Sequence, residues 1–507
     1  MCGFLFIKSD NKSYLNKIAN KFDNLKYRGP DYSFTIIPDE NIFIGQHVLS
    51  VVGKINQNHY KYKNLYLLYN GEIYNYDKSF ENDTEFLSHY LYHNWDNVDL
   101  SKLDGMYSFV AYKDGEIMMA RDPFGQKPLY FKEKKNSLVV SSGVNVFEDE
   151  LEIDYDVYKN YFFTRHFIDN SKSIYKDINQ LLPGCLRLNN KDKFFTASDF
   201  ISEPLDITEE ECLEELDSLL RTTIKEMIPD RKFSSIISGG IDSSLVSWYL
   251  SRENIDVRFL GVNNIGKDWV SNNLKKFESY LNKDILQVES FEMDWVEAFK
   301  YYIDTIKDLP RTWASISYYI ISKVLNEKVL FTGEGADELF GGYKDYLNNG
   351  VTKYSSYDRR NIFTEMPEYF EPTIEDDAFL TDTINNIPVG SFAADSGISL
   401  NGKEGRNPYL RYDVVKFALN LPKKYKIKNG VTKYILKELF KQKYKEDLIY
   451  KKQGFSGYPE GCYNSNSFTK ILGYNIEPSG DDKWKLACGE FLNKETYDDS
   501  DGLPEKN

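Results

Sequence analysis

A glycine- and serine-rich stretch, residues 238–244 (SGGIDSS), follows the apolar run FSSII. A loop that cradles phosphate needs backbone N–H groups aimed at anionic oxygens, and glycine lets the backbone come close to them. The stretch has no lysine, and its carboxylate, Asp242, would repel a polyphosphate unless a divalent cation lay between them. Mg²⁺ is the ion that best fits this role. The alternative is that Asp242 only caps the helix that follows.

A second glycine-rich turn follows another apolar run, in residues 328–343 (KVLFTGEGADELFGGY). Because the carboxyl ends of parallel strands meet at one edge of a sheet, we expect Glu334, Asp337 and Glu338 to lie near the first loop. Carboxylates beside a phosphate loop are expected where Mg²⁺ bridges them to the phosphates, and one of them could also deprotonate an amine. The alternative is a solvated acidic turn.

The chain begins MCGF, and the small second residue would allow Met1 to be removed. Removal would leave Cys2 with a free α-amine, whose ordinary pKa of about 8 lets it act as a base near neutral pH. A thiol needs such a base to become a strong nucleophile. The start of the chain therefore predicts a nucleophilic Cys2 that needs no histidine partner.

The pattern of predicted secondary structure changes near residue 200. Before it, short strand-like runs are broken by turn dipeptides such as Asn70-Gly71 and Asp114-Gly115. After it, a helical pattern begins with Thr208 as candidate N-cap, and strands then alternate with helices. Such alternation is typical of a parallel sheet with helices on both faces. We predict a domain boundary near residue 200.

Bulk composition excludes several classes of protein. The chain has 507 residues, which predicts two or three domains, and its net charge of −15 argues against a partner that is a nucleic acid. It has no apolar run long enough to span a membrane and no visible secretory signal. Its five cysteines form no CxxC pair, which favours a reducing cytoplasm. His89 and His93 have the spacing of a metal pair on a helix, but their aromatic surroundings favour packing.

Several motifs together carry a family resemblance. SGGIDSS and TGEGADELFGGY resemble the synthetase domain of glutamine-dependent asparagine synthetases, in which the first loop grips the pyrophosphate that leaves ATP. The motifs RGPD, YNGEIYN, NDTE, LDGMYSF and ARDPFGQKPLYF, in this order, are similar to the class II glutamine amidotransferase domain of that family. Near the C-terminus, EGRNPYL and KNGVTKYILKELF also resemble it. The resemblance covers roughly residues 2 to 460.

The resemblance implies a fold of mixed α/β and α+β class. Residues 2–200 would form an N-terminal-nucleophile αββα sandwich that acts as a glutaminase. Residues 201–460 would form a Rossmann-like parallel-sheet domain of the adenine-nucleotide alpha-hydrolase type. We predict no fold for the polar extension of residues 461–507, which ends in an acidic tail.

The same resemblance implies a glutamine site around Cys2. Cys2 would attack the glutamine amide, and the Asn70 side chain and the Gly71 N–H would form the oxyanion hole. Glu72 and Asp83 would hold the amino group of glutamine, although Asp83 could also serve as the N-cap of the helix TEFLSHYL. The predicted glutamine-binding residues are Leu49, Ser50, Asn70, Gly71, Glu72 and Asp83.

At the synthetase site the resemblance implies catalytic roles for Glu334 and Lys433, and metal binding by Asp242 and Asp337. On periodicity alone, Lys433 is a solvated first-turn residue of a helix whose inner face is Ile435, Leu436, Leu439 and Phe440. The predicted nucleotide-binding residues are Ile236, Ser238, Gly239, Gly240, Asp242, Ser243, Ser244, Gly261, Thr332 and Gly333.

The implied reaction is glutamine-dependent asparagine synthesis through a β-aspartyl-AMP intermediate, with ATP and Mg²⁺. Small-molecule substrates, no nucleic acid, no membrane and a possible homodimer are expected. Val48 replaces the family arginine that binds the glutamine carboxylate, which predicts weaker glutamine binding unless another cation such as Arg28 substitutes. Arg411 replaces a family aspartate, so the acceptor could be another acid, such as a sugar acid or a modified-base precursor. Two alternatives stay open: an amidotransferase or cyclase acting on such an acid, and a degenerate nucleotide-binding homologue.

Overall fold

The computed structural model describes residues 1–53, 60–154, 157, 171–263, 269–289, 295–312, 314–348 and 378–444. The predicted extension 461–507 lies outside these ranges. Among the described residues, no helix is both long enough and apolar enough to cross a membrane.

Residues 2–194 contain two antiparallel sheets of six strands each. Their strands, in chain order, are β1 (Cys2–Ser9), β2 (Tyr32–Ile36), β3 (Ile42–Val48), β4 (Lys61–Tyr62), β5 (Leu65–Ile73), β6 (Gly105–Lys113), β7 (Glu116–Arg121), β8 (Tyr130–Lys134), β9 (Ser137–Ser141), β10 (Asn179–Gln180), β11 (Cys185–Leu188) and β12 (Lys191–Phe194). The first sheet has the order β10-β8-β9-β1-β3-β2, and the second has the order β12-β11-β7-β6-β5-β4.

The two sheets stack face to face between helices. Alternate residues of β1, Phe4 and Phe6, pack between the sheets against Leu68 and other apolar side chains of the second sheet. The opposite face of β1 packs against α1 (Lys12–Ala19), and α2 (Asp83–His93) covers the outer face of the second sheet. The αββα sandwich expected from the resemblance is therefore confirmed.

The two turn dipeptides have different outcomes. Asp114 and Gly115 have φ of 51° and 90° and join β6 to β7 as expected. The expectation that Asn70-Gly71 forms a turn is wrong, because both residues continue β5 and pair with β6. Glycine is required there for close approach between strands, since a Cβ at Gly71 would lie 2.0 Å from the Met106 carbonyl oxygen.

Residues beyond 207 alternate strands and helices as predicted. The strands are β13 (Phe233–Ile237), β14 (Val257–Asn263), β15 (Ile285–Glu289), β16 (Val329–Phe331) and β17 (Glu404–Arg406). The helices are α3 (Glu209–Glu226), α4 (Ile241–Arg252), α5 (Trp269–Leu281), α6 (Trp295–Ile306), α7 (Ala314–Lys323), α8 (Ala336–Phe340), α9 (Ala378–Asn385), α10 (Ile387–Ser399), α11 (Tyr412–Asn420), α12 (Lys423–Lys426) and α13 (Tyr434–Tyr444). Thr208 caps α3 through a reciprocal capping box with Glu211, as predicted.

The strand order β15-β14-β13-β16-β17, with every pair parallel, has a topological switch point between β13 and β16. The chain adds strands on one side of β13 and then on the other, so the two connections leave β13 and β16 in opposite directions and open a crevice beyond the carboxyl ends of these strands. The two glycine-rich loops, one after each strand, therefore meet at this crevice. The exact boundary between the antiparallel and parallel parts of the chain, near residue 200, stays a prediction.

Buried ion pairs join the two parts of the chain. Asp395 of α10 accepts hydrogen bonds from Arg28, at 2.6 Å, and from Lys127, at 3.1 Å. The side chains of Arg28 and Asp395 are each only 2% exposed. Burial alone would raise the pKa of Asp395, but the two cations hold it below its ordinary value. The charged form of Asp395 is thus part of the folded structure.

Replacing Asp395 by alanine should therefore destabilise the protein strongly. Arg28 and Lys127 would be left buried without their carboxylate, and breaking a buried pair in this way costs about 3–5 kcal/mol. Urea unfolding of the variant should show a clearly lowered midpoint.

The matched control is Lys12→Ala, which breaks a pair between Lys12 and Glu40 whose side chains are 63% and 69% exposed. Such surface pairs contribute about 0–1 kcal/mol. Equal urea midpoints for the two variants would show that the Asp395 contacts do not stabilise the fold.

Two candidate active sites

The first site forms where Cys2, on β1, lies beside Asn70, on β5. The Cys2 backbone N–H donates to Asn70 Oδ1 at 2.8 Å, which fixes the orientation of the amide group. The Asn70 Nδ2 group is buried and has no hydrogen-bond partner among the described residues. Within the described ranges, the short β4 pairs with Tyr66 and Leu65 and does not extend along β5 as far as Asn70. The amide donor of Asn70 is thus available to a ligand beside Cys2.

Two buried carboxylates lie on the same side of the pocket. Burial raises the pKa of Glu72 well above its ordinary value, with nearby Asp83 adding to the effect and Arg406 opposing it. Burial also raises the pKa of Asp83, although Tyr69 and the Ile73 N–H donate to it at 2.7 and 3.0 Å. A bound ammonium group would stabilise the ionised forms of both carboxylates. The pair is therefore suited to an α-amino group.

Five of the six predicted glutamine-binding residues line one pocket with Cys2, and Asn70 adjoins it through Cys2. The pocket is lined by Met1, Cys2, Val48, Leu49, Ser50, Val51, Val52, Tyr60, Tyr69, Gly71, Glu72, Asn82, Asp83 and Thr84. Burial raises the pKa of the Cys2 thiol, while the positive chain terminus and a hydrogen bond from the Leu49 backbone oppose the rise.

One local expectation about this pocket is wrong. Asp83 was expected to double as the N-cap of α2, but Asn82 is the N-cap and accepts from the Glu85 N–H at 2.9 Å. Asp83 is the first helical residue, so its carboxylate is turned instead toward Tyr69 and the end of β5. In this orientation the Asp83 side chain lines the pocket.

Arg28, the cation suggested as a replacement for the family arginine at position 48, is engaged by other groups. Val48 is buried opposite Cys2 in the sheet register and offers no charge. Arg28 donates to the Cys2 carbonyl at 3.3 Å and pairs with Asp395. Its guanidinium therefore points to the interior between the two parts of the chain, and it cannot serve as the free cation for a substrate carboxylate.

The second site begins with the loop of residues 238–244. Ser243 Oγ accepts from the Ser238 N–H at 3.1 Å and lies 2.9 Å from Ser238 Oγ, which closes the loop into a tight turn. Gly239, with φ of 78°, and N-cap Gly240 lead into α4, so the helix starts at the loop. Asp242 lies in the first turn and is not the N-cap, which removes the capping alternative. The loop presents a helix N-terminus at the switch point.

Lys433 connects this loop to the second one. Its Nζ lies 2.5 Å from Asp242 Oδ2 and 2.8 Å from Asp337 Oδ1. The residue precedes α13 with a left-handed φ of 51°, and burial opposes the rise in its pKa that the two carboxylates produce. The expectation of a solvated lysine is wrong, because the left-handed backbone turns the side chain inward. The predicted inner face of α13 is confirmed as buried.

The residues present fit Mg²⁺ bound together with phosphates. No three histidine, cysteine or acidic side chains in the described ranges cluster as a protein-only metal site. Mg²⁺ commonly binds to one or two carboxylates and completes its coordination with substrate phosphates and water. Asp242 and Asp337, which share the Lys433 ammonium, supply such carboxylates beside the phosphate loop.

Glu334 lies at the start of the second loop and is partly buried. Its pKa is raised to about 7, chiefly by burial and also by the nearby charges of Asp337 and Asp242. A hydrogen bond from the Tyr318 hydroxyl, at 2.5 Å, and the charge of Lys433 work against the rise. A carboxylate with this pKa can accept a proton near neutral pH.

The remaining nucleotide-binding predictions fall around the same crevice. Ile236 is a buried residue of β13, and Gly261 pairs with Ile237 from β14. Thr332 follows β16 and donates to Asn407 at 2.6 Å. A Cβ at Gly333 would lie 2.8 Å from the Asp242 Cβ, so this glycine lets the two loops touch.

Arg411 does not belong to this site. It donates to Asp104 at 2.7 Å and to Glu226 at 2.7 Å, and it lies over the Tyr74 ring. These contacts place it between the two parts of the chain. The idea that Arg411 adapts the site to a different acid therefore loses its basis.

The packing expected of His89 is confirmed, because it stacks on Tyr62 with ring centroids 3.7 Å apart. Two other residues have contacts that the sequence did not reveal. No sequence pattern marked Tyr318 as a functional residue, because it lies in α7, an apolar and buried helix. Arg406 lies in a motif that carried the resemblance, yet its contacts with Glu72 and Glu404 appear only in three dimensions.

Comparisons with known proteins agree with this two-site arrangement. A glutamine amidotransferase domain profile matches residues 1–200, and an asparagine synthase profile matches residues 215–369 and 389–494. The chain is 26% identical to asparagine synthetase [glutamine-hydrolyzing] 1 of Bacillus subtilis over 68% of this chain and 59% of that protein. It is also 26% identical to the Homo sapiens asparagine synthetase [glutamine-hydrolyzing] over 95% and 88% of the two chains.

Among solved structures, the allosteric regulatory enzyme of purine biosynthesis aligns at 16% identity, over 57% of this chain and 80% of that one. The TM-score is only 0.28, so the fold assignment depends on the strands described above.

Gly342 offers a direct test of the Lys433 cluster. A Cβ at this position would lie 1.6 Å from Asp337 Oδ1 and 2.4 Å from Lys433 Cε, so alanine must displace one of them. Misplacement of about 1 Å can cost roughly 10²-fold in rate. Gly342→Ala should therefore lower ATP–pyrophosphate exchange by about that factor. Glutamine hydrolysis should be unchanged, and undiminished exchange would show that the cluster takes no part.

Proposed function

The chain belongs to the asparagine synthetase family, and we propose that it hydrolyses glutamine at Cys2 and uses the ammonia to amidate an adenylated carboxylic acid, with L-aspartate as the first candidate. The overall reaction would convert ATP, L-aspartate, L-glutamine and water to AMP, pyrophosphate, L-asparagine and L-glutamate. The observation that carries the proposal is the Lys433 ammonium between Asp242 and Asp337, at the meeting point of two glycine-rich loops. It joins a phosphate loop to the acidic loop that bears Glu334.

At the glutaminase site, the Cys2 thiol would attack the side-chain amide of glutamine. Removal of Met1 would create an α-amine at the Cys2 nitrogen, which already contacts Asn70 Oδ1. That amine would take the thiol proton and pass it to the departing ammonia. The buried Asn70 Nδ2 and the Gly71 N–H would stabilise the tetrahedral oxyanion. Water would then release glutamate from the thioester.

At the synthetase site, a carboxylate oxygen of the acceptor would attack the α-phosphorus of ATP and displace pyrophosphate. Activation is needed because a carboxylate cannot expel oxide, whereas its acyl-adenylate can expel AMP. The N–H groups of the 238–244 loop and the Lys433 ammonium would hold the pyrophosphate. Asp242 and Asp337 would hold Mg²⁺, which would neutralise phosphate charge during adenylation.

In the last step, ammonia would attack the acyl-adenylate carbonyl and AMP would leave. The attacking nitrogen must lose a proton, and Glu334 would take it. In support, the Glu334 carboxyl has a pKa of about 7, raised chiefly by burial. Ammonia would travel inside the protein from one site to the other. The buried contacts of Arg28, Arg406 and Arg411 hold the two parts of the chain together.

A different acceptor acid is the second candidate function. Arg411, the residue that first suggested it, is engaged by Asp104 and Glu226. Exchange of labelled pyrophosphate into ATP, measured with aspartate and a panel of other acids, identifies the acceptor. If none of the acids in the panel supports exchange, that result would contradict the proposal and favour a degenerate nucleotide-binding protein.

The glutaminase assignment predicts a selective loss. Cys2→Ala should abolish glutamine-dependent amidation and leave ammonia-dependent amidation intact, because the second site does not use the thiol. Undiminished glutamine use by this variant would refute the nucleophile. A mature protein whose mass shows Met1 retained, but which still consumes glutamine, would refute the α-amine as the base.

The two acidic residues of the synthetase site should fail at different steps. Asp242→Asn should lose pyrophosphate exchange, because it removes a carboxylate from the metal and from Lys433. Glu334→Asp withdraws its carboxylate by about 1 Å, so it should keep exchange while amide formation falls by roughly 10²-fold.

Glutamine hydrolysis serves as the control in both variants, because Cys2 lies in the antiparallel sheets, whereas Asp242 and Glu334 follow strands of the parallel sheet. Normal amide synthesis by Asp242→Asn would contradict the metal-bridged loop. A parallel fall of exchange and amide in Glu334→Asp would mean that Glu334 helps to form the adenylate and is not the base for amination.

A further inference from the structure

Tyr318 contacts the proposed base from a helix that carries none of the predicted site residues. Its hydroxyl donates to Glu334 Oε1 at 2.5 Å; Tyr318 is buried and Glu334 is partly buried. We propose that Tyr318 is a positioning residue for amide formation, whose hydroxyl holds the Glu334 carboxylate in the orientation that accepts the proton from the attacking nitrogen. This inference rests on the proposed function of Glu334 as base.

The helix that carries Tyr318 is held firmly in place. α7 packs against α10, and a Cβ at Gly397 would lie 2.2 Å from the Ser315 carbonyl oxygen and 2.8 Å from Tyr318 Cβ. Only glycine permits this approach, so the Tyr318 backbone is fixed against α10. A rigid side chain with two rotatable bonds then delivers its hydroxyl to one oxygen of Glu334.

The other carboxylate oxygen of Glu334 faces a different part of α10. A Cβ at Gly390 would lie 3.0 Å from Glu334 Oε2, so the glycine keeps this side of the carboxylate clear of a side chain. The two oxygens thus have distinct surroundings: Oε1 accepts from Tyr318, and Oε2 lies beside glycine backbone. An anchored Oε1 leaves Oε2 as the oxygen available for the proton.

Loss of the hydroxyl should affect amination more than adenylation. The ion pairs of Lys433 with Asp242 and Asp337 are made without the Tyr318 hydroxyl, so we expect the pyrophosphate loop to be affected less than Glu334. Without its donor, the Glu334 carboxylate would be free to rotate away from the reacting nitrogen. Loss of one hydrogen bond to a charged group corresponds to about 10- to 100-fold in rate.

The test compares Tyr318→Phe with Tyr319→Phe in the full chain. Tyr319 is the next residue of α7 and stacks on Tyr301, so its variant makes the same chemical change away from Glu334. With saturating ammonia, Tyr318→Phe should keep pyrophosphate exchange within about twofold while amide formation falls by about 10- to 100-fold. Tyr319→Phe should change neither rate. In a Glu334→Asp background, Tyr318→Phe should add little further loss.

Different results overturn different claims. If the unmodified chain forms no amide with any acid, the proposed function fails and the role of Tyr318 falls with it. If the unmodified chain forms amide and Tyr318→Phe matches Tyr319→Phe, only the Tyr318 inference is overturned. Equal losses of exchange and amide in Tyr318→Phe, or full additivity with Glu334→Asp, would also overturn it, because the hydroxyl would then act elsewhere.

Discussion

The arrangement of the two sites depends on the ion pairs that the Asp395 carboxylate makes with two cations. A buried charge must be paired, and Asp395 is paired with two cations from the antiparallel sheets, Arg28 and Lys127. Arg28 also donates to the carbonyl of Cys2, so the strand that carries Cys2 is tied to α10. Because the same helix packs against α7 and borders Glu334, the orientation of the antiparallel sheets relative to the crevice is set by charge pairing as well as by apolar contact.

Within the crevice, close backbone approach and charge pairing act together. The two loops touch at Gly333, and Gly342 lies against both Asp337 and Lys433. Each glycine removes a side chain that would separate the charged groups. In the second loop, glycine permits tight packing of an ion-paired cluster, which the sequence did not reveal. In the first loop, the cause that the sequence predicted is close approach of the backbone to phosphate.

Much of the fold could be predicted because it depends on local patterns. Strand alternation, the capping box at Thr208 and the inner face of α13 need only neighbouring residues. Errors arose where a distant strand or helix decided the outcome. Asn70-Gly71 has the composition of a turn, but pairing with β6 keeps it in a strand. Arg411 seemed to belong to the acceptor site until its partner, Asp104, was seen to come from 307 positions away. Sequence spacing carries no information about such partners.

The position of Met1 gives its proposed removal an electrostatic consequence. The Met1 ammonium pairs at 2.9 Å with Glu404, and both groups are fully buried. Burial would raise the pKa of Glu404, but this ammonium and Arg406 lower it to about 2. Removal of Met1 would place the new α-amine at the Cys2 nitrogen, beside Asn70, and would leave Glu404 with Arg406, whose Nε lies 2.9 Å away. The chain-terminal amine would thus move by one residue, away from β17 and toward the thiol, and it would be neutral when it acts as the base. Because Glu404 keeps a cation in either form, the cut would not leave a carboxylate buried without a partner.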